Sequence, residues 1–211
     1  EANPGTIDIK HLRELKQLGI NRISFGVQSF DDEELVFLER IHTSQEAIKS
    51  IEYARNVGFE NISIDLIYGI PNQTLSSWTK NMQIVNDLEI PHISAYNLIY
   101  EENTPLHNQL LNGKIGQLDE SIEEKIYLQT VDCLESANFQ QYELSNFAKK
   151  GFECKHNIKY WTHLPYFGFG PSAHSYFKYR RFWNYRNLIN YYKSINQNQL
   201  PIEDLCLKFS I

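Results

Sequence analysis

Apolar positions along the first hundred residues switch between two periods, and the switching predicts the architecture. Ile9, Leu12, Leu15 and Leu18 recur at helical spacing and stop at Gly19, with Thr6 or Asp8 placed to cap the start. "RISFGVQSF" (22–30) then alternates as a strand does, and "DDEELVFLER" (31–40) reads as a short helix with its acids in the first turn, where they suit the helix dipole. In "TSQEAIKSIEYARNVG" (43–58), Thr43 and Glu46 form a capping box, Ala47, Ile48, Ile51 and Ala54 make the apolar face, and Gly58 ends the helix. A strand over 61–68, a turn at Gly69–Pro71, a helix near 75–88 and the strand "HISAYNLIY" (92–100) continue the alternation. Strands separated by amphipathic helices mean βαβ units and a parallel sheet, with right-handed connections. The fold class is therefore α/β, as a doubly wound sheet or a barrel. Residues 101–121 read as a boundary, followed by one long helix over about 119–137 and then by aromatic-rich sequence of no clear period.

Side chains alternate faces along a strand, so each strand can be divided in two. In "RISFGVQSF" Ile23, Phe25 and Val27 oppose Ser24, Gly26 and Gln28; in "NISIDLIY" (61–68) Ile62, Ile64 and Leu66 oppose Ser63, Asp65 and Ile67. In "HISAYNLIY" Asn97 shares a face with Ile93, Ala95 and Ile99, and it is taken as the polar partner of Gln28 and Asp65. Parallel α/β folds bind ligands at the C-terminal edge of the sheet, where these polar residues fall. Asp65 is the informative one. An unpaired carboxylate in a dry interior costs several kcal/mol, so it needs a partner: Arg40, a backbone amide, or the ammonium or hydroxyl groups of a ligand.

Composition narrows the partners. The net charge is −6, hydrophobic residues make up 42% and no basic stripe appears, which argues against nucleic acid. No apolar run approaches the ~20 residues of a membrane span. Cys133, Cys154 and Cys206 are spaced neither as a disulfide framework nor as a CxxC metal pair, which fits a reducing cytoplasm. The chain opens on "EANPGT" at what reads as the exit of a strand and closes on "LCLKFSI" without a helix stop, so it is expected to be a segment of a longer protein.

An ordered series of motifs then becomes recognisable: "EANPGT", "GINRISFGVQSFDDEEL", "LERIHT", "GFENISIDLIYGIPNQT", "HISAYNLIYEENTP", "QYELSNFAKKGFECKHNIKYW" and "FGFGPSAHSY". Together they resemble the oxygen-independent coproporphyrinogen III oxidase-like branch of the radical S-adenosylmethionine (SAM) proteins, from residue 1 to about 195. The resemblance implies a partial (β/α)6 TIM-like barrel, of which residues 1–105 are the C-terminal portion, and part of a smaller α+β domain over 106–211. It implies a [4Fe–4S] cluster that reduces SAM to a 5′-deoxyadenosyl radical. By motif it places Glu1, Gln28, Arg40 and Asp65 among the SAM contacts, with Ile99 touching SAM through its backbone and His174 near another contact. The cluster's CxxxCxxC does not occur in this sequence, so the segment by itself is expected to bind no cluster and to be inactive.

Within that branch two functions compete: haem chaperones, which deliver haem to haemoproteins, and true oxidases, which decarboxylate coproporphyrinogen III to protoporphyrinogen IX. "CKHNIKYW" (154–161) resembles the HNxxYW signature of the chaperone group, making His156 the haem-binding candidate. If the stretch is helical, His156 and Tyr160 share a face. A neutral imidazole suits axial iron ligation, and aromatic rings suit a porphyrin face. Residues 160–192 hold 13 of the chain's 28 aromatic side chains, which are read as packing. The expected cofactors are SAM, a [4Fe–4S] cluster and haem; the expected partners are haem or a porphyrinogen and a haemoprotein acceptor.

Overall fold

Helix ends in the computed structural model form where the sequence supplies caps. It describes residues 1–206, so the end of the closing "LCLKFSI" lies outside the described residues. The first helix, α1 (Ile9–Gln17), starts at Asp8, whose carboxylate accepts from the His11 amide; Thr6 instead bonds the Asn3 carbonyl. Strand β1 (Arg22–Gln28) leads to α2 (Asp32–Phe37), capped by Asp31, and then to α3 (Ser44–Asn56), where the Thr43–Glu46 capping box forms in full. Strand β2 (Asn61–Tyr68), helix α4 (Leu75–Asp87) and strand β3 (His92–Asn97) complete the alternating part.

β1, β2 and β3 are adjacent and parallel, and Ala2 forms an isolated parallel bridge to Phe25. The apolar residues of these strands, with Leu12, Ala47, Ile51, Trp78 and Val85 from the helices, make one core. Burying each such side chain is worth about 1.5–3 kcal/mol, which explains why the 3.6- and 2-residue periods are clear in the sequence. This is the C-terminal portion of a partial, TIM-like α/β barrel.

After α5 (Pro105–Leu111), helix α6 (Glu120–Ser136) packs on α4, and its Thr130 hydroxyl accepts from the Trp78 indole at 2.7 Å. β4 (Phe139–Gln141) and β5 (Asn146–Lys149) then extend the sheet antiparallel, in the order β1-β2-β3-β5-β4. Three- and four-residue strands are too short to show an alternation, so this region has no legible period in the sequence.

The chain divides into two units, Glu1–Glu153 and the residues from Cys154 onward. The sequence reading sets its boundary at 105/106, where the last parallel strand gives way to α5. The second unit contains α7 (Lys155–Trp161), the antiparallel strands β6 (His174–Phe177), β7 (Arg180–Asn184) and β8 (Ile202–Cys206), and α8 (Leu188–Asn196).

Candidate functional site

The polar face of the sheet in the first unit is built by register. Ser24 pairs with Ser63, Ser63 with His92, and Asp65 with Ser94. Paired residues of parallel neighbours project from the same face, so Asp65 shares its face with Ser94 and not with Asn97. Asn97 lies in register with Tyr68, is exposed, and donates to Glu123 of α6 at 3.0 Å, beneath Gly69, where any β-carbon would strike the Asn97 side chain. Its pairing with Asp65 is therefore corrected. Asn97 stands out in "HISAYNLIY" as a polar residue, but His92, Ser94 and Tyr96 form the face that meets Asp65.

Asp65 has no cationic partner among the described residues. Ser24 Oγ donates to its Oδ1 at 3.4 Å, and the described residues contain no ion pair to it. Burial pushes its carboxyl above the usual range; the Ser94 hydroxyl opposes this, the Glu1 carboxylate adds to it, and Ser24 and Arg22 draw it back. Arg40, weighed as its partner, instead donates to Asn3 Oδ1 at 2.5 Å and to the Gly26 carbonyl at 3.4 Å. Its Nε is buried without a partner.

Beside Asp65 the strand carries a bulge. Phe25 opposes Ile64 and Gln28 opposes Leu66, so Gly26 and Val27 together stand against Asp65. Gln28 takes a left-handed backbone (φ 67°), a conformation that costs a non-glycine residue of order 1–3 kcal/mol unless its surroundings hold it. The bulge carbonyls supply the hold. Val27 O accepts from the Ser29 amide at 2.9 Å and from His42 Nε2 at 3.0 Å, and Gly26 O accepts from Arg40. His42 is buried, and burial pushes its pKa down, so the ring is neutral and Nε2 carries the proton. A β-carbon at Gly26 would come within 3.0 Å of Gln28 Nε2 and 3.1 Å of Asn3 Oδ1, so glycine keeps this corner open.

Glu1, Gln28 and Asp65 come together on a cavity of about 650 Å³, lined also by Gly26 and by Asn3, Thr6 and Leu15 from the segment leading into and through α1. Arg40 stands behind it, through Asn3 and Gly26. Ile99 lies beyond the end of β3, 73% exposed, and does not line the cavity. Further along the polar face, His92 bonds Ser63 Oγ through Nδ1 and the Tyr142 hydroxyl through Nε2, both at 2.7 Å, and burial lowers its pKa to about 3. Ser94 donates to Asn146 at 2.7 Å, and Asn146 donates to Glu143. The loops after β1 and β2 are joined by buried Glu34, which accepts from Ser29 at 2.6 Å and from Gln73 at 3.0 Å; Gln73 in turn accepts from the Gly69 amide.

In the second unit "HNIKYW" is helical, as α7. His156 Nε2 lies 2.9 Å from the Tyr160 hydroxyl, with the rings edge-on at 4.9 Å. Tyr160 packs edge-on against Tyr166, with ring centres 4.4 Å apart. Both His156 and Tyr160 are exposed. So are Trp161, Phe167, Tyr179 and, at 91%, Phe169, whereas Tyr166, Tyr176, Phe182 and Trp183 are half-buried, so the reading of the aromatics as packing holds for only part of them. His174 is on β6 against Trp183, at 5.6 Å, and burial followed by the charge of Arg181 lowers its pKa. Among the described residues, no group of three or more His, Cys, Asp and Glu side chains is arranged to hold a metal ion, and no helix is long and apolar enough to cross a membrane.

Comparison with known proteins agrees with this architecture. Residues 1–84 match the profile of the Radical SAM superfamily. Over 204 residues the chain is 39% identical to "Heme chaperone HemW" of Bacillus subtilis, covering 97% of this chain and 54% of that protein. It is 38% identical over 175 residues to the protein of the same name in Escherichia coli, covering 82% of this chain and 45% of that one. The chain thus spans about half the length of the relatives it matches. Among solved structures, the radical SAM enzyme coproporphyrinogen III oxidase (HemN) of Escherichia coli superimposes with a TM-score of 0.80 at 23% identity, over 97% of this chain and 50% of that one, which shows the fold. Sequence thus places the chain among the radical SAM proteins, beside relatives named heme chaperones, and the fold agrees.

Proposed function

We propose that the protein is a haem chaperone: it takes up haem and passes it to a haemoprotein in the cytoplasm, with SAM held at the Asp65 edge of the barrel. The observation that carries this reading is the exposed His156–Tyr160 pair of "HNIKYW". It occurs in a chain 39% identical to a protein named a heme chaperone. Tyr160 lies within hydrogen-bond reach of His156 Nε2 and holds the ring at the surface, where an imidazole would be available to haem iron.

For SAM, the fit rests on Asp65, a half-buried carboxylate without a cation, which is suited to accept from ribose hydroxyls or an ammonium. Gln28 and Glu1 offer further polar groups on the same cavity, and Arg40, behind it on Asn3 and Gly26, is the proposed partner for the SAM carboxylate. Ile99, beyond the end of β3, is the remaining proposed contact of the first unit, through its backbone. Bound beside a [4Fe–4S] cluster, SAM supplies radical chemistry; the residues of this chain do not fit the cluster itself, having neither CxxxCxxC nor another ligand set among the described residues.

Titration of the chain with ferric haem, followed at the Soret band, tests the reading. His156→Ala is expected to abolish the shifted band, and an unchanged titration would overturn the proposal. The second reading, oxygen-independent coproporphyrinogen III oxidase, shares the barrel and makes no use of His156. Protoporphyrinogen formed anaerobically from coproporphyrinogen III and SAM, by a longer form carrying a reconstituted cluster, would establish it instead.

A further inference from the structure

Charge is divided unevenly along this chain. Residues 1–153 carry 24 acidic and 12 basic side chains, whereas residues 154–211 carry two acidic and eight basic. A basic segment on an acidic protein concentrates anions locally. Four of its cations, Lys178, Arg180, Arg181 and Arg186, lie on or beside the β6–β7 hairpin, interleaved with aromatic residues.

Strand register singles out one of the four. Tyr166 and Tyr176 exchange backbone hydrogen bonds, each at 2.9 Å, and Tyr176 stands opposite Arg181. Directly opposed residues of antiparallel strands project from one face, so Tyr166, Tyr176 and Arg181 form a row about 10 Å long, two strand spacings. Tyr160 packs edge-on against the Tyr166 end of that row and carries the hydrogen bond to His156. The row therefore leads from an imidazole, across aromatic rings, to a guanidinium. Arg181 is exposed, and no ion pair engages it among the described residues. Its charge reaches the other end: burial and then Tyr166 push the Tyr160 hydroxyl up, and Arg181 draws it back. The adjacent Arg180 opposes Phe177 and projects from the other face.

We propose that Arg181 is the carboxylate anchor of the haem site at His156. The proposal rests on the reading of His156 as the iron ligand and extends it to the rim of the porphyrin. Haem is a flat aromatic ring with iron at its centre and two carboxylates on one edge. The row presents a complementary series, and the planar guanidinium fork bonds a carboxylate through two parallel N–H groups, which a lysine cannot do.

The test compares ferric haem with its dimethyl ester, which keeps ring and iron but loses both negative charges. Each is titrated into the full chain and followed at the Soret band. Arg181→Ala is expected to weaken haem about three- to tenfold and to leave the ester unchanged. Arg181→Lys restores part of the loss, and Arg180→Ala changes neither ligand. Equal weakening of haem and ester by Arg181→Ala, or equal effects of Arg180→Ala and Arg181→Ala on haem, would overturn the anchor. His156→Ala is the separate arm. Unchanged haem affinity there overturns the iron-ligand reading, while the haem–ester difference still decides whether Arg181 holds a carboxylate. A wild-type chain that binds neither ligand overturns both.

Discussion

The two units bring polar and aromatic groups together in opposite ways. In the first, the chemistry is inside: Asp65, His92, Ser94 and His42 sit on or beside the sheet, and all but Asp65 are buried, each with a named hydrogen-bond partner. In the second, it is outside: His156, Tyr160, Phe169 and Arg181 stand in solvent on a scaffold of short strands. Buried polar groups hold a fold to one geometry, because an unmade bond costs the full desolvation of its partner. Exposed aromatic and cationic groups cost the fold little to keep and little to lose. The first unit reads as a rigid holder, the second as a contact face, and the contrast can be broken by experiment.

The largest effect is expected at His92. Its folded pKa, about 3, lies below the ordinary histidine value, so the unfolded chain binds the extra proton first as pH falls. Its contribution to stability is complete above about pH 6.5 and is lost progressively toward pH 3, amounting to a few kcal/mol. Urea unfolding across that window, repeated with His92→Gln, should show the acid slope flattened in the variant. An unchanged slope would mean that another group governs the acid limb.

Asp65→Asn comes next. Removing a charge-assisted acceptor should weaken SAM about ten- to a hundredfold in calorimetry while leaving the melting temperature level or higher, since burial opposes the charge. A lowered melting temperature with SAM binding intact would make Asp65 a structural residue and remove the main support for the cavity's role. His42→Ala should cost about 1–3 kcal/mol, because the Val27 carbonyl loses a buried donor. Hydrogen exchange should then rise at residues 26–30 ahead of β3, whereas His42→Gln, which can still reach the carbonyl, restores protection. On the contact face, Trp161→Ala should shift stability by less than about 0.5 kcal/mol, as suits a side chain 60% exposed. A larger loss would mean that the aromatics of the second unit hold its fold.

Much of the first unit is legible in the sequence. The capping box at Thr43, the strand at 61–68, the helix at 120–136 and the solitary carboxylate of "NISIDLIY" all follow from period, caps and polarity. What stays hidden is what depends on register. The bulge at Gly26–Val27 is one extra residue in a strand and leaves no periodic mark, so the role of His42 cannot be seen before the strands are aligned. Asn97 misleads for the same reason: parity within one strand says which residues share a face, but only pairing says which face meets Asp65. In the second unit the family signature marks His156, yet neither the exposure of the aromatics nor the alignment of Arg181 with Tyr176 and Tyr166 has a local signal.

Glu34 has a consequence for motion. A carboxylate buried between Ser29 on one loop and Gln73 on the next, with Gln73 holding the Gly69 amide, makes the loops after β1 and β2 a single mechanical piece. Neither loop can swing outward alone without stranding a charge in a dry interior. Opening at this edge of the barrel is therefore cooperative: the segments around Ser29 and around Gln73 should exchange their amide hydrogens with one common free energy, and ligand entry must lift both loops together or neither.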